Sequence, residues 1–313
     1  MNVGDMNRRE TQVDSKEPHF PAGVTGAGRL PPGAVRGIRG NGNSRSGSRH
    51  ASLCLILCLM ILTACQNQFV YHPTRATEKE LRQIALQVDM QPWTGPDDQR
   101  IGWRTEGSGQ NRIVMFHGNA GHALHRLYFS DGMRSVGKGN DWEVFLFEYP
   151  GYGSRPGRPG EKVIMEAAME AVMDLNRDAS GKELYLAGES LGSGVASGIA
   201  AKQPEMISGI VLITPFTSLQ DAGSAHFPRI LVRGILRDRY DNVAALEKYN
   251  GRVGFLIAGK DEVIPAELGL SLYEQYAGPK HLWVQEQAGH NSLDFDLESS
   301  WWRELTEYLT GKE

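Results

Sequence analysis

From residue 112 onward, apolar stretches of strand length recur along the chain, most of them closed by Gly or Pro. They are 112–118 (RIVMFHG), 142–151 (WEVFLFEYPG), 183–188 (ELYLAG), 208–214 (SGIVLIT), 252–259 (RVGFLIAG) and 280–287 (KHLWVQEQ). Near-continuous apolarity, rather than strict alternation, predicts strands covered on both faces. Helix-like stretches lie between them. Within 160–179, Val163, Ala167, Val172 and Leu175 fall at about helical spacing among charges. Residues 191–202 (LGSGVASGIAAK) are mostly small, as a helix pressed close against a sheet would be, and 299–309 (SSWWRELTEYL) reads as an amphipathic helix ending the chain. This alternation predicts an α/β fold, a mostly parallel sheet with helices on both faces, in one domain spanning 66–313.

The rhythm breaks between residues 217 and 250. That stretch is long for a strand–helix connection, and it contains HFPRILVRGILRDRYDN at 226–242. Insertions of this length are commonly functional, and a short lid is expected here. Phe216, Phe227, Ile230, Leu231, Ile235 and Leu236 could cover an acyl pocket, while Arg229, Arg233, Arg237 and Arg239 could meet an acidic headgroup. An amphipathic helix with a solvated basic face explains the same residues equally well.

Composition sharpens the picture at the N-terminus. The net charge is −4, with 8 Lys/Arg against 4 Asp/Glu in residues 1–50 and 25 against 33 in the remainder. A mildly acidic body argues against a nucleic-acid partner. Residues 1–50 are rich in Gly, Pro, Ser and Arg without an apolar period, so a disordered basic extension is expected. The uncharged run 51–64 follows, too short to span a bilayer, which takes roughly 20 apolar residues, but of secretory-signal length. It ends in Leu62-Thr63-Ala64-Cys65, which resembles the lipobox of bacterial lipoproteins. Cys65 is the expected lipidation site, and residues 51–65 the signal region. A signal so far from residue 1 leads to the expectation that initiation in vivo lies downstream, near Val35. The position after the cysteine is Gln66 rather than Asp, which favours a cell-envelope location at the outer membrane, facing the periplasm or the surface. All three cysteines, Cys54, Cys58 and Cys65, lie in this region, so thiol chemistry is not expected in the folded body.

Candidate chemistry centres on Gly188-Glu189-Ser190-Leu191-Gly192, a G-x-S-x-G sequence between an apolar strand and a small-residue helix. In a nucleophile elbow the serine occupies a strained turn, and flanking glycines let strand and helix nearly touch. Ser190 is the candidate nucleophile. An acid and then a histidine should follow in chain order. Asp261 sits in a loop after the strand of LIAGKDEVIP, with Glu262 its nearest rival, and His290 sits in the loop after the last strand. Asp238, Asp241, His226 and His281 are weaker candidates by position. Glu189 is expected to face another way than act as a base. Oxyanion donors are expected from the backbone N–H groups of Leu191 and of Asn119, the latter in FHGNAGH at 116–122, with His117 a structural hydrogen-bonder. The Gly-rich 148–157 (EYPGYGSRPG) lacks a nucleotide-binding ending, so phosphate cradling is set aside.

Together HGNAG, EYPGYGSRPG, GESLGSG, GKDEVIP and AGHN resemble the α/β-hydrolase superfamily, closest to its Bem46-like, ABHD17-like branch. The resemblance covers about residues 69–310. It implies an eight-stranded, mainly parallel sheet and a serine nucleophile, without fixing a substrate. The expected activity is cleavage of carboxylic esters or thioesters through an acyl-enzyme, on a small-molecule ester or acylated substrate, at a membrane reached through the lipid anchor. That chemistry requires no metal or organic cofactor. An aminopeptidase or amide hydrolase is the enzymatic alternative. A non-catalytic, surface-anchored binding protein on a hydrolase scaffold is the other.

Overall fold

A computed structural model describes residues 66–107, 109–136, 141–177 and 181–311. The expectations for residues 1–65, lipidation of Cys65 included, lie outside the described residues. In chain order the strands are β1 (His72–Pro73), β2 (Met90–Thr94), β3 (Arg100–Thr105), β4 (Asn111–Phe116), β5 (Ala120–Gly121), β6 (Trp142–Phe147), β7 (Glu183–Glu189), β8 (Gly209–Ile213), β9 (Arg252–Ala258) and β10 (Lys280–Gln285). The α-helices are α1 (Gln66–Val70), α2 (Glu78–Gln87), α3 (Leu127–Ser135), α4 (Glu161–Arg177) and α5 (Leu191–Lys202), then α6 (Leu219–Ser224), α7 (Arg229–Ile235), α8 (Asn242–Leu246), α9 (Ala266–Gln275) and α10 (Ser300–Thr310).

Eight strands make one sheet in the order β10-β9-β8-β7-β4-β6-β3-β2. Every neighbouring pair is parallel except those of β3, which runs antiparallel to both β2 and β6. The central strands alternate their side chains between two apolar layers. Val114, Leu186, Leu212 and Phe255 join Ile164, Val195 and Leu272 of α4, α5 and α9 on one face. Met115, Ala187, Val211 and Leu256 join Leu81, Phe129 and Trp302 of α2, α3 and α10 on the other. Burial on both faces is what makes these strands read as unbroken apolar runs.

Two differences from the pattern reading have physical causes. β2 and β3 carry Pro92, Arg100 and Gly102, which weaken a strand signature. β2 lies at the sheet edge, where a proline costs no needed donor, and a Cβ on Gly102 would stand 2.3 Å from Leu146 O. In α4 the inward stripe is Ile164, Ala168, Ala171, Val172 and Leu175, so Val163 faces outward. The stretch 217–250 folds as three short helices, α6 to α8. Phe216 is buried in the core, whereas Phe227, Ile230 and Leu231 face solvent rather than covering a pocket. Among the described residues, no helix is long and apolar enough to cross a membrane.

Chain order along the sheet positions the site. β4 leads to β6 on one side, and the chain then crosses back over β4 to β7 on the other. Loops leaving the carboxyl ends of β4 and β7 therefore diverge, and such a reversal is where open α/β sheets leave a crevice.

Candidate active site

Ser190 is the residue between β7 and α5, and its backbone lies at φ 51°, ψ −115°. A non-glycine residue there is strained, typically by about 1–3 kcal/mol, and must be held by its surroundings. Those surroundings are tight. A Cβ on Gly188 would meet Gly192 O at 2.3 Å, and one on Gly192 would meet Phe116 O at 2.0 Å. Only glycines let the elbow press onto the end of β4. The Ser190 N–H donates to Ile213 O at 2.9 Å, and its carbonyl accepts from the N–H and Oγ of Ser193. Its own hydroxyl does not cap α5 and, among the described residues, makes no hydrogen bond.

Asp261 and His290 meet. Asp261 Oδ2 lies 2.7 Å from His290 Nδ1, and both side chains are nearly buried. Asp261 Oδ1 accepts from the N–H groups of Val263 and Ile264, which fixes the carboxylate in its loop. A turn-capping role and a histidine-orienting role thus fall to different oxygens of one group. Glu262 is displaced from the ring and reaches the backbone N–H of His290 instead, at 3.4 Å. The imidazole borders a cavity of about 230 Å³ with Glu189, Ile213, Thr214, Arg126, Tyr128, Leu293 and Phe295. Glu189 adjoins Ser190 in the chain, and Ile213 accepts its N–H. The histidine thus borders an opening lined by the chain neighbour and the backbone partner of the nucleophile candidate, without a hydrogen bond between the two side chains. A larger hollow of about 530 Å³ lies at the amino ends of the strands, by Asn111, Glu183 and Arg252, and is lined by none of these residues.

Asn119 follows β4. Its carbonyl accepts from His72 N–H and Tyr152 OH, and its Nδ2 donates to Val70 O at 3.0 Å. The preceding Gly118 passes so near that a Cβ on it would lie 3.6 Å from Ser190 Cβ. Leu191 opens α5, so its N–H has no acceptor within the helix. His117 is buried between Tyr149 and Glu148, with Nδ1 2.7 Å from Gly118 O. Burial, with the nearby Arg126 guanidinium, holds it well below the usual histidine range, as befits a structural group. The Gly-rich 148–157 loop buttresses this one: Tyr149 OH donates to His117 O and Tyr152 OH to Asn119 O.

A family model described as serine aminopeptidase, S33 matches residues 107–249. The α/β hydrolase domain-containing protein 17B of Xenopus tropicalis is 30% identical over 222 residues, which span 66% of this chain and 74% of that protein. Protein bem46 of Schizosaccharomyces pombe is 31% identical over 164 residues, 49% of this chain and 52% of the relative. The chain is an α/β hydrolase of the Bem46/ABHD branch. An esterase of Pyrococcus furiosus superposes on this hydrolase with a TM-score of 0.61 at 16% identity, covering 77% of the hydrolase and 98% of the esterase, a likeness that establishes the fold.

Several groups in the hydrolase's site had no sequence signal strong enough to find them. Arg126 donates to both oxygens of Glu189, at 2.8 and 2.7 Å, and Tyr128 OH adds a third bond. Glu189 does face the cavity, but its carboxylate is fully engaged and unfit as a base. Burial works to lower the Arg126 pKa, yet the Glu189 carboxylate outweighs it and raises it. Thr214, just past β8, is buried at φ 45°, with Oγ1 unpartnered among the described residues. The remaining candidates have other duties. His226 Nε2 bonds Val263 O, His281 stacks on Trp283, Asp238 accepts from Tyr71 OH, and Asp241 caps α8.

Proposed function

We propose that this serine hydrolase cleaves carboxylic esters or thioesters through an acyl-enzyme on Ser190. His290 takes the Ser190 hydroxyl proton on Nε2 as Oγ attacks the acyl carbon. Asp261 holds the ring in that tautomer and stabilises the imidazolium. The N–H groups of Leu191 and Asn119 receive the developing oxyanion. The C–O or C–S bond then breaks, His290 gives its proton to the leaving alcohol or thiol, and water releases the acyl group by the same route. The imidazole must turn toward Ser190 for the first step, a looseness common before substrate binds. The reading is supported by the 2.7 Å Asp261–His290 contact, with the imidazole bordering an opening that Glu189, the residue before the strained serine, also lines.

The matching family's description makes an aminopeptidase the second reading. An aminopeptidase needs an anionic partner for a free α-ammonium. The cavity's lining contains one carboxylate, that of Glu189, and three donors already occupy it. This favours esters over N-terminal amides.

We extend the proposal to anchorage, with Cys65 acylated and the hydrolase domain held at the envelope membrane, the outer one favoured. Loss of radiolabelled palmitate incorporation in Cys65→Ser checks that part. For the chemistry, a fluorophosphonate probe should label the wild type but not Ser190→Ala. A panel of p-nitrophenyl esters should be turned over far faster than aminoacyl anilides. Ordinary turnover by Ser190→Ala would end the assignment, and preference for the anilides would exchange the two readings.

A further inference from the structure

We propose that the outer face of α7 and its flanks is a second bilayer-contact surface, taking acyl chains on Phe227, Ile230 and Leu231 and anionic headgroups on its arginines. The proposal takes from the preceding section only that the N-terminus brings the chain to a membrane.

The surface stands out in three respects. First, Phe227, Ile230 and Leu231 are 64%, 83% and 52% exposed within five positions, while α7 buries Val232. Single exposed apolar residues are ordinary, but a cluster marks a binding surface. Val263, 40% exposed, extends it, since His226 is bonded to the Val263 carbonyl. Second, the charge inverts locally. Residues 226–239 carry four arginines and one aspartate, on a body with 25 Lys/Arg against 33 Asp/Glu after residue 50. Arg229 pairs with Asp221 at 3.8 Å, both partly exposed, and with Arg233 it lies on the helix that carries Ile230 and Leu231. An acidic body with a basic, apolar face would settle on anionic lipid by that face. Third, the chain's entry point is fixed beside it. Tyr71 OH bonds Asp238 Oδ2 and lies 3.1 Å from Tyr240 OH, while Asn67 Nδ2 donates to Pro159 O. Asp238 is three residues past α7, and the apolar run 51–64 joins the described chain at Gln66. Rises of about 1.5 Å per helical and 3.5 Å per extended residue place Gln66 and Ile230 within roughly 35 Å. Phe69, 71% exposed on α1, adds to the same end.

The patch abuts the loop of Asp261 through the His226–Val263 bond. Docking by this face would therefore bring the site's rim to the lipid surface.

The test uses the full chain with Cys54, Cys58 and Cys65 changed to Ser and one environment-sensitive label on Ile230→Cys or, as control, Leu86→Cys. Leu86 is 78% exposed on α2, in the opposite helical layer. The chain is mixed with vesicles of phosphatidylcholine containing phosphatidylglycerol, with brominated acyl chains. The label at 230 should be quenched several-fold more than the label at 86, and less in phosphatidylcholine alone. Arg233→Gln should lower the docked-to-undocked ratio by roughly fivefold. Equal quenching at both positions overturns the proposal. A label at 230 that is shielded but unquenched also overturns it, because residues 51–64 or a second copy then cover the face. Failure to float with anionic vesicles overturns docking, whereas attachment through Cys65, which this variant lacks, stands or falls by the palmitate experiment. Flotation without quenching at 230 overturns docking alone.

Discussion

Replacing Asp261 by Asn tests the site at its best-defined contact. In the native loop Oδ1 accepts from Val263 and Ile264 N–H at 2.9 and 2.7 Å, and Oδ2 faces His290 Nδ1 at 2.7 Å. An asparagine must keep its carbonyl oxygen on the two amides. The reverse orientation would set its NH2 against two donors and lose both bonds, each worth about 1 kcal/mol. The NH2 therefore turns to His290 and donates to Nδ1. The ring proton is then confined to Nε2, the atom that must accept from Ser190, and no negative charge remains to stabilise the imidazolium. A wrong-tautomer loss of this kind is on the order of 10⁴-fold in kcat, or about 5 kcal/mol of transition-state stabilisation. Folding should change by no more than about 1 kcal/mol, because the two amides keep their acceptor. Asp261→Ala, which strips that acceptor, should cost roughly 0.5–2 kcal/mol more. Ester turnover and urea midpoints of the three proteins separate these effects. If Asp261→Asn keeps turnover within tenfold of wild type while Glu262→Gln does not, the acid has been misassigned.

Asn119→Pro, which removes the proposed oxyanion donor, should lower kcat by about 10²–10³, whereas Asn119→Ala should lose only the bond to Val70 O. Equal losses in the two variants would refute the backbone role. Glu148 is buried, and burial pushes its carboxyl up to about 7. Because the folded pKa lies above the unfolded one, its contribution is complete below pH 4.5 and lost as pH rises to 7, by roughly 3 kcal/mol. His122, pulled down to about 4 by burial and then by His125 and Arg126, acts in the opposite sense between pH 4 and 6.5. Glu148→Gln should therefore leave a stability that climbs with pH across that range, and urea midpoints unchanged from wild type at each pH would contradict the assignment. Gly192→Ala puts a methyl 2.0 Å from Phe116 O. It should cost about 3 kcal/mol, lowering Tm by roughly 2–4 °C per kcal/mol; a Tm within a degree of wild type would mean that the elbow relaxes freely.

How much of this was legible depends on where each constraint is local. β4, β6, β7, β8 and β9 are buried on both faces or nearly so, and their runs speak for themselves, while β10 is half-exposed yet still apolar enough to read as a strand. β2 and β3 do not, because Pro92 is tolerated by an edge and Gly102 is demanded by Leu146 O, facts that exist only once neighbours are placed. In α4 the spacing places Val172 and Leu175 correctly on the inward face but takes Val163 for Ile164 and Ala167 for Ala168, since the neighbours are all apolar and only packing chooses between them. Ser190, Asp261 and His290 could be chosen because strand-end loops in a parallel sheet share an edge. The Arg126–Glu189–Tyr128 network could not, since its partners lie 63 and 61 positions apart and an arginine in sequence reads as solvated. For the exposed apolar residues of α7 the sequence leaves a pocket cover and a solvated amphipathic helix equally open, because it gives amphipathicity without saying which side a protein will occupy.

The segment just after the proposed lipidation site does more than lead away from it. His72 N–H donates to Asn119 O, Asn119 Nδ2 donates back to Val70 O, and Thr74 N–H donates to Gly121 O. β1 and β5 are therefore one small parallel ladder that joins the chain's entry to the loop bearing a proposed oxyanion donor. Tyr152 OH, from the loop after β6, locks the same carbonyl from the other side. A preorganised donor needs its peptide plane fixed before charge develops. The plane that carries the Asn119 N–H has Gly118 O at its other end, 2.7 Å from His117 Nδ1, and the plane that follows it is held at Asn119 O by two donors. One of the two belongs to residues 67–75, which are themselves tied to Pro159, Asp238 and Gly153. The same short stretch thus connects the proposed anchor, the basic insertion and the oxyanion loop, so the geometry of attachment and the geometry of catalysis are set by shared hydrogen bonds.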